Sequence, residues 1–267
     1  VVSTIGVVKF LEEHNMLSSI KNYVGTSAGS LMCLLIAMNY RHKDLEQALS
    51  ELLRRPSIIN WEADSILDIF DQYGLSDGEQ LNKMVDEFLQ KKYSHTHMTF
   101  IEFAKVSGKN LVVCVSNLTK ECTEFFSVDT TPNLSIAQAI RISCSLPIMF
   151  APVKLNDNLY LDGGLYNNFP IDYFPEHELK DILGINISIT NYQCHTDFLR
   201  YMRFIFTSLL EKFNSKPVNS KDRNVITLEF EDPDDLLNSI QISLSDDKIH
   251  KYIEMGYEAA KSHIKPT

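Results

Sequence analysis

The stretch Asn22-Tyr23-Val24-Gly25-Thr26-Ser27-Ala28-Gly29-Ser30-Leu31-Met32 decides the fold. Asn22 to Val24 reads as a brief extended segment that ends at Gly25. From Ala28 to Met38 the residues are apolar nearly all round, the mark of a buried helix. Between them lies G-x-S-x-G, Gly25 to Gly29, the composition of a turn that lifts a serine hydroxyl out of a sheet and into the first turn of a helix. Such a turn is tight. Gly25 and Gly29 remove side chains that would collide on its flanks, and Ala28 is small. At a helix N-terminus the unpaired backbone N–H groups and the positive dipole end favour developing negative charge at Ser27. The N–H of Ala28 would then point toward a tetrahedral oxyanion. A strand–loop–helix junction chosen for packing alone would use the same small residues, so the pentapeptide leaves both readings open.

On either side of this turn, helical and extended periodicities alternate. Gly6 to Asn15 reads as a short helix, and Leu45, Ala48, Leu49, Leu52 and Leu53 recur at helical spacing. Ser76 with Glu79, and Thr99 with Glu102, have the spacing of capping boxes. The first would open a helix with Leu81, Met84, Val85, Phe88 and Leu89 on one face. Leu111 to Val115 is a buried strand candidate that Glu124 to Val128 could pair across a turn. Ser135 to Ile142 reads as helix, Leu159 to Leu161 and Ile182 to Ile189 as strands, and Phe198 to Phe213 as an amphipathic helix. Asn214 to Arg223 reads as a surface loop, Ile226, Leu228 and Phe230 alternate as in a half-buried strand, and a helix from about Asp247 to His263 closes the chain. This alternation predicts one α/β domain over residues 1–267, with a mainly parallel central sheet and helices on both faces.

A serine hydroxyl needs a base to act as a nucleophile at neutral pH. One candidate is Asp162, at the end of the strand Leu159-Tyr160-Leu161 and followed by Gly163 and Gly164, which let the chain turn sharply. Asp-Gly is also a common surface turn. Among the eight histidines, His177 lies downstream of Asp162, and the order Ser27, Asp162, His177 is that of α/β-hydrolase triads. His195 and His250 are alternatives for the same part. His95 and His97 form an H-x-H pair without a third ligand at supporting spacing, so no metal site is expected.

GTSAGS around Ser27 and DGGLYNNFP from Asp162 resemble the two signature blocks of patatin-like phospholipases. Arg141 to Val153, RISCSLPIMFAPV, resembles the stretch that precedes the second block, and Ile5 to Glu13 resembles the family's first helix. The order and spacing agree as well, so the resemblance covers Ile5 to about Asn191. It implies a patatin-like fold and a lipid acyl hydrolase working through a Ser27–Asp162 dyad without histidine. Gly25, Ala28 and Gly29 would form the elbow and oxyanion contact, and Gly163 and Gly164 would support the base. It also implies that the chemistry uses no metal and no organic cofactor. The family's glycine-rich loop, which supplies further oxyanion donors, is expected upstream of Val1, because Val1 to Thr4 hold no glycine. Two other outcomes stay open: a Ser-His-Asp esterase, or an inactive lipid-binding or interaction module.

Composition narrows the partners. Thirty-five acidic against 25 basic residues give a net charge of −10, which argues against nucleic acid and against simple adsorption to anionic membranes. Lipid would have to be reached through local apolar surface. The longest apolar run, Leu31 to Met38, falls far short of the roughly 20 residues of a membrane span. Five cysteines without CxxC spacing fit reduced thiols, with Cys33 and Cys114 as small core residues. These features predict a cytoplasmic or peripheral membrane location, with no clear sign of secretion, and they say nothing of oligomeric state. The segment holding Trp61, Ile58, Ile59, Ile66 and Phe70 reads as core or as an apolar cap. The Phe198–Phe213 helix reads as packed on the sheet or lying at an interface.

Overall fold

The computed structural model describes residues 2–53, 73–189, 224–230 and 245–264. The amphipathic helix, the polar loop and the Trp61 segment expected from the sequence lie outside the described residues, as does His195. In chain order the elements are α1 (Val2–Glu13), β1 (Asn22–Thr26), α2 (Ala28–Ala37), α3 (His42–Leu53), β2 (Gly74–Ser76), α4 (Glu79–Tyr93) and α5 (Phe100–Ser107). They continue with β3 (Asn110–Asn117), β4 (Cys122–Phe126), α6 (Ile136–Ser143), β5 (Ile148–Phe150), β6 (Val153–Leu155) and β7 (Asn158–Asp162). Last come β8 (Leu183–Ile189), β9 (Asn224–Phe230) and α7 (Asp246–His263). They fall into two units, one of Lys21–Asn39 and Pro56–Pro170, the other of Val1–Ile20, Tyr40–Arg55 and Ile171–Thr267.

The first unit is built on β3, whose residues Leu111 to Val115 are all buried. An unbroken apolar run of this kind suits a strand covered on both faces. β1 runs parallel to β3, from Asn22 opposite Asn110 to Thr26 opposite Cys114. β4 returns antiparallel along residues 113–117 of β3, because the turn between Asn117 and Cys122 is too short for a parallel crossover. β7 pairs antiparallel with β3, placing Asp162 opposite Val115, and β6 extends the sheet antiparallel to β7. Since β4 occupies the opposite edge of β3, β1 and β7 take consecutive stretches of a single edge. Their C-terminal ends therefore meet head to head at Cys114 and Val115. β2 and β5 form a separate parallel pair.

The fold is α/β, as the alternating periodicities predict. The parallel pairs are β1–β3, β2–β5 and β8–β9, and the remaining pairs are antiparallel, so the five-stranded sheet is mixed. Apolar runs carry no information about strand direction, whereas short connections do.

Two local expectations meet different outcomes. Thr99 caps α5 in a full capping box with Glu102, whose carboxylate takes the Thr99 N–H at 2.9 Å. Ser76 and Glu79 form no such box. Ser76 ends β2, and α4 is capped by Gly78 in the left-handed region, φ 69°, because Asp77-Gly78 makes a turn of its own. Asp77 Oδ1 accepts the Glu79 N–H there. The apolar face predicted for α4 is buried in full.

In the second unit β8 and β9 pair in parallel over seven residues, and α1 crosses α7 at two glycines. A Cβ on Gly6 would run into the Ile253 carbonyl, and one on Gly256 into the Ser3 carbonyl. α1 begins at Val2, earlier than its apolar spacing indicates, because Ser3 and Thr4 are buried helical residues rather than a loop.

Candidate active site

The meeting of β1 and β7 on the edge of β3 brings Ser27 and Asp162 together. Ser27 follows the last residue of β1 and caps α2. Its backbone lies at φ 51°, ψ −132°, a region that residues with a side chain rarely occupy. Gly25 is needed for this turn: a Cβ there would stand 2.6 Å from the Gly29 carbonyl oxygen. The crowding is one-sided, since a Cβ on Gly29 itself would meet nothing within 4 Å. Gly29 therefore does not relieve the collision expected of it. It is Gly29's backbone that crowds Gly25.

The Ser27 hydroxyl donates to Asp162 Oδ2 at 2.6 Å, and the Gly164 N–H donates to Asp162 Oδ1 at 2.7 Å. Asp162 is 1% exposed. Burial pushes its carboxyl up to about 7, against the opposing pull of the Ser27 and Gly164 hydrogen bonds. Gly163 lets β7 approach β3 this closely, because a Cβ there would strike the Cys114 carbonyl. The Ser116 hydroxyl donates to the Gly163 carbonyl at 3.3 Å and accepts the Tyr166 N–H at 3.2 Å, tying down the turn beyond the acid. The elbow is tied down as well: the Ser30 hydroxyl donates to the Ser27 carbonyl at 2.6 Å, and Thr26 Oγ1 donates to the Asn167 carbonyl at 3.0 Å.

No histidine among the described residues hydrogen-bonds to Ser27 or Asp162. The His177 side chain is 82% exposed and faces Glu178 at 3.8 Å, and the His250 ring meets the carbonyl of Asp246 on its own helix. His97 and His95 turn to different carboxylates, Asp86 at 2.8 Å and Glu102 at 3.6 Å. Burial pushes the thiols of Cys33 and Cys144 up to about 12, and Asp162 adds to the effect on Cys144. Both therefore stay protonated at neutral pH. Cys114 is buried, as expected of a core thiol, and although the Cys33 residue is half-buried, its Sγ points inward to the Val24 carbonyl at 3.4 Å.

The sequence does not point to Arg141, Ser143 or Ser145 as part of this constellation. Arg141 is buried, and its guanidinium donates to the carbonyls of Asp77 and Ala151 and to the Ser145 hydroxyl. Ser143 touches the backbone of Ser27 itself, its Oγ accepting the Ser27 N–H at 2.8 Å. The available signal was the RISCS run itself, a buried arginine followed by two small hydroxyls.

The patatin-like phospholipase family model matches residues 1–175, and the chain belongs to that family. A probable lipid hydrolase, 463L, of Invertebrate iridescent virus 6 is 32% identical over 158 residues, covering 58% of this chain and 53% of that protein. The uncharacterized protein YqhO of Bacillus subtilis (strain 168) is 24% identical, covering 99% of this chain and 94% of that protein. Among solved structures, VipD from Legionella pneumophila matches with a TM-score of 0.54 at 17% identity, over 98% of this chain and 65% of that one. This last likeness is one of fold. The match with the viral relative spans about half of that protein's length.

Proposed function

We propose that the chain hydrolyses carboxylic ester bonds of phospholipids or other acyl lipids through an acyl-enzyme on Ser27, with Asp162 as general base. Family membership supports lipid ester hydrolysis in general. The observation that carries the finer reading is the direct 2.6 Å contact between the Ser27 hydroxyl and the Asp162 carboxylate. It lies within the reach a general base needs. A carboxyl raised to about 7 is also a far better proton acceptor than an ordinary aspartate.

Ser27 Oγ attacks the ester carbonyl and its proton passes to Asp162 Oδ2. The oxyanion of the tetrahedral intermediate faces the Ala28 N–H at the start of α2. The intermediate collapses, the C–O bond to the alcohol breaks, and Asp162 returns the proton to the leaving oxygen. Water then gives a proton to Asp162 and attacks the acyl-serine; as the second tetrahedral intermediate collapses, Asp162 returns that proton to Ser27 Oγ and the carboxylic acid is released. The Gly164 N–H holds Asp162 Oδ1, leaving Oδ2 to handle the proton. This sequence of steps calls for no metal and no organic cofactor. The substrate is met at a membrane or micelle surface. No helix among the described residues is long and apolar enough to cross a membrane.

The test is labelling with a fluorophosphonate probe alongside fatty-acid release from phosphatidylcholine vesicles. Ser27→Ala is expected to lose labelling and to lower turnover by roughly 10⁴-fold or more, with Asp162→Asn close behind. His177→Ala should leave both readouts unchanged. A wild-type protein that takes up no probe would instead identify an inactive binding module.

A further inference from the structure

We infer that Ser143 is a positioning residue that holds the backbone of the nucleophile, and that the end of α6 sets the spacing between Ser27 and Asp162. This deepens the Ser27–Asp162 reading and rests on it.

Ser143 is fully buried and is the last residue of α6. Its hydroxyl accepts the Ser27 N–H at 2.8 Å and donates to the Cys114 carbonyl at 2.7 Å. The direction of both bonds is forced. An N–H can only donate and a carbonyl can only accept, so the single hydroxyl proton goes to Cys114 and a lone pair faces Ser27. Ser27 stands in backbone space that persists only where its surroundings over-determine it. Ser143 is one of the groups that do so. The anchor is well chosen, because Cys114 is the β3 residue opposite Thr26, immediately before Ser27 in the chain.

Two residues further on, the Ser145 carbonyl accepts the Asp162 N–H at 3.0 Å. One segment thus grips the nucleophile through its first serine and the base through its second. Arg141 fixes that segment. Its guanidinium bonds the Ser145 hydroxyl, which itself donates to the Arg141 carbonyl at 2.9 Å, and reaches the Asp77 and Ala151 carbonyls at 2.6 and 3.0 Å. A second consequence concerns the oxyanion. The Ser27 N–H is already engaged by Ser143, so it is not available to the tetrahedral intermediate, and the Ala28 N–H takes that part.

The test compares wild type with Ser143→Ala, using hydrolysis of a soluble p-nitrophenyl ester, fluorophosphonate labelling and amide hydrogen exchange. Ser143→Ala is expected to lower kcat and the labelling rate by roughly 100-fold, the scale of a misplaced reacting group, with KM little changed. In wild type the Ser27 amide should exchange slowly. A folded Ser143→Ala protein with wild-type kcat and labelling overturns the inference. So does a Ser27 amide that exchanges at the unprotected rate in wild type, a measurement that decides the matter even if the variant does not fold. Failure of the underlying reading looks different: wild type itself would then carry no probe on Ser27.

Discussion

A carboxyl group that keeps its proton up to about pH 7 serves as a base only once that proton has left. For Asp162 this predicts a kcat that climbs through about pH 7 and levels off above it. A profile already flat from pH 5 upward would contradict Asp162 as the base. Stability moves the opposite way. The folded protein holds the Asp162 proton until about pH 7, while the unfolded chain releases it near 3.8, so the folded form binds more protons between those limits. It therefore loses stability as pH rises through that window, on the order of a few kcal/mol. Denaturant titrations at pH 5 and pH 8 should show this loss in wild type and a smaller one in Asp162→Asn. Ser27 and Asp162 were legible in the sequence because turn chemistry is local: a serine between small residues, and an acid before two glycines. The raised pKa was not, since it comes from burial by segments far away in the chain. Ser143 was hidden for the same reason, its partner lying 116 residues earlier.

Among the helices and strands, local chemistry decides which sequence signals survive folding. Thr99 and Glu102 make their capping box because nothing between them competes. Ser76 and Glu79 do not, because Asp77-Gly78 between them turns the chain first. Strand existence followed from apolar runs, but strand direction did not, and the junction of β1 with β7 on one edge of β3 needs the register to be seen. The contact between α1 and α7 offers a test at this scale. Replacing a helical glycine by alanine ordinarily stabilises a helix by about 1 kcal/mol. At Gly256 the added Cβ would strike the Ser3 carbonyl, a backbone atom that cannot swing aside. Gly256→Ala is therefore expected to destabilise by about 1–3 kcal/mol, the usual range for overpacking, read as a lower Tm. An unchanged or higher Tm would show that the two helices can separate without loss.

For the molecule as a whole, the net charge of −10 bears directly on the lipid-surface encounter proposed for it. Anionic bilayers should repel it, and salt should relieve that repulsion by screening. Turnover on phosphatidylserine-containing vesicles is expected to rise with salt, while turnover on pure phosphatidylcholine vesicles changes little. A fall with salt on anionic vesicles would point instead to a local basic docking face. The left-handed turn at Ser27 carries a consequence for robustness. Removing the hydroxyl with Ser27→Ala keeps a methyl group in an uncomfortable conformation, whereas Ser27→Gly lets the chain relax into it, a difference of about 1–3 kcal/mol. Selection for thermal endurance alone would thus favour glycine where the proposed chemistry demands serine, so working power and sturdiness are set against each other at one bend of the chain.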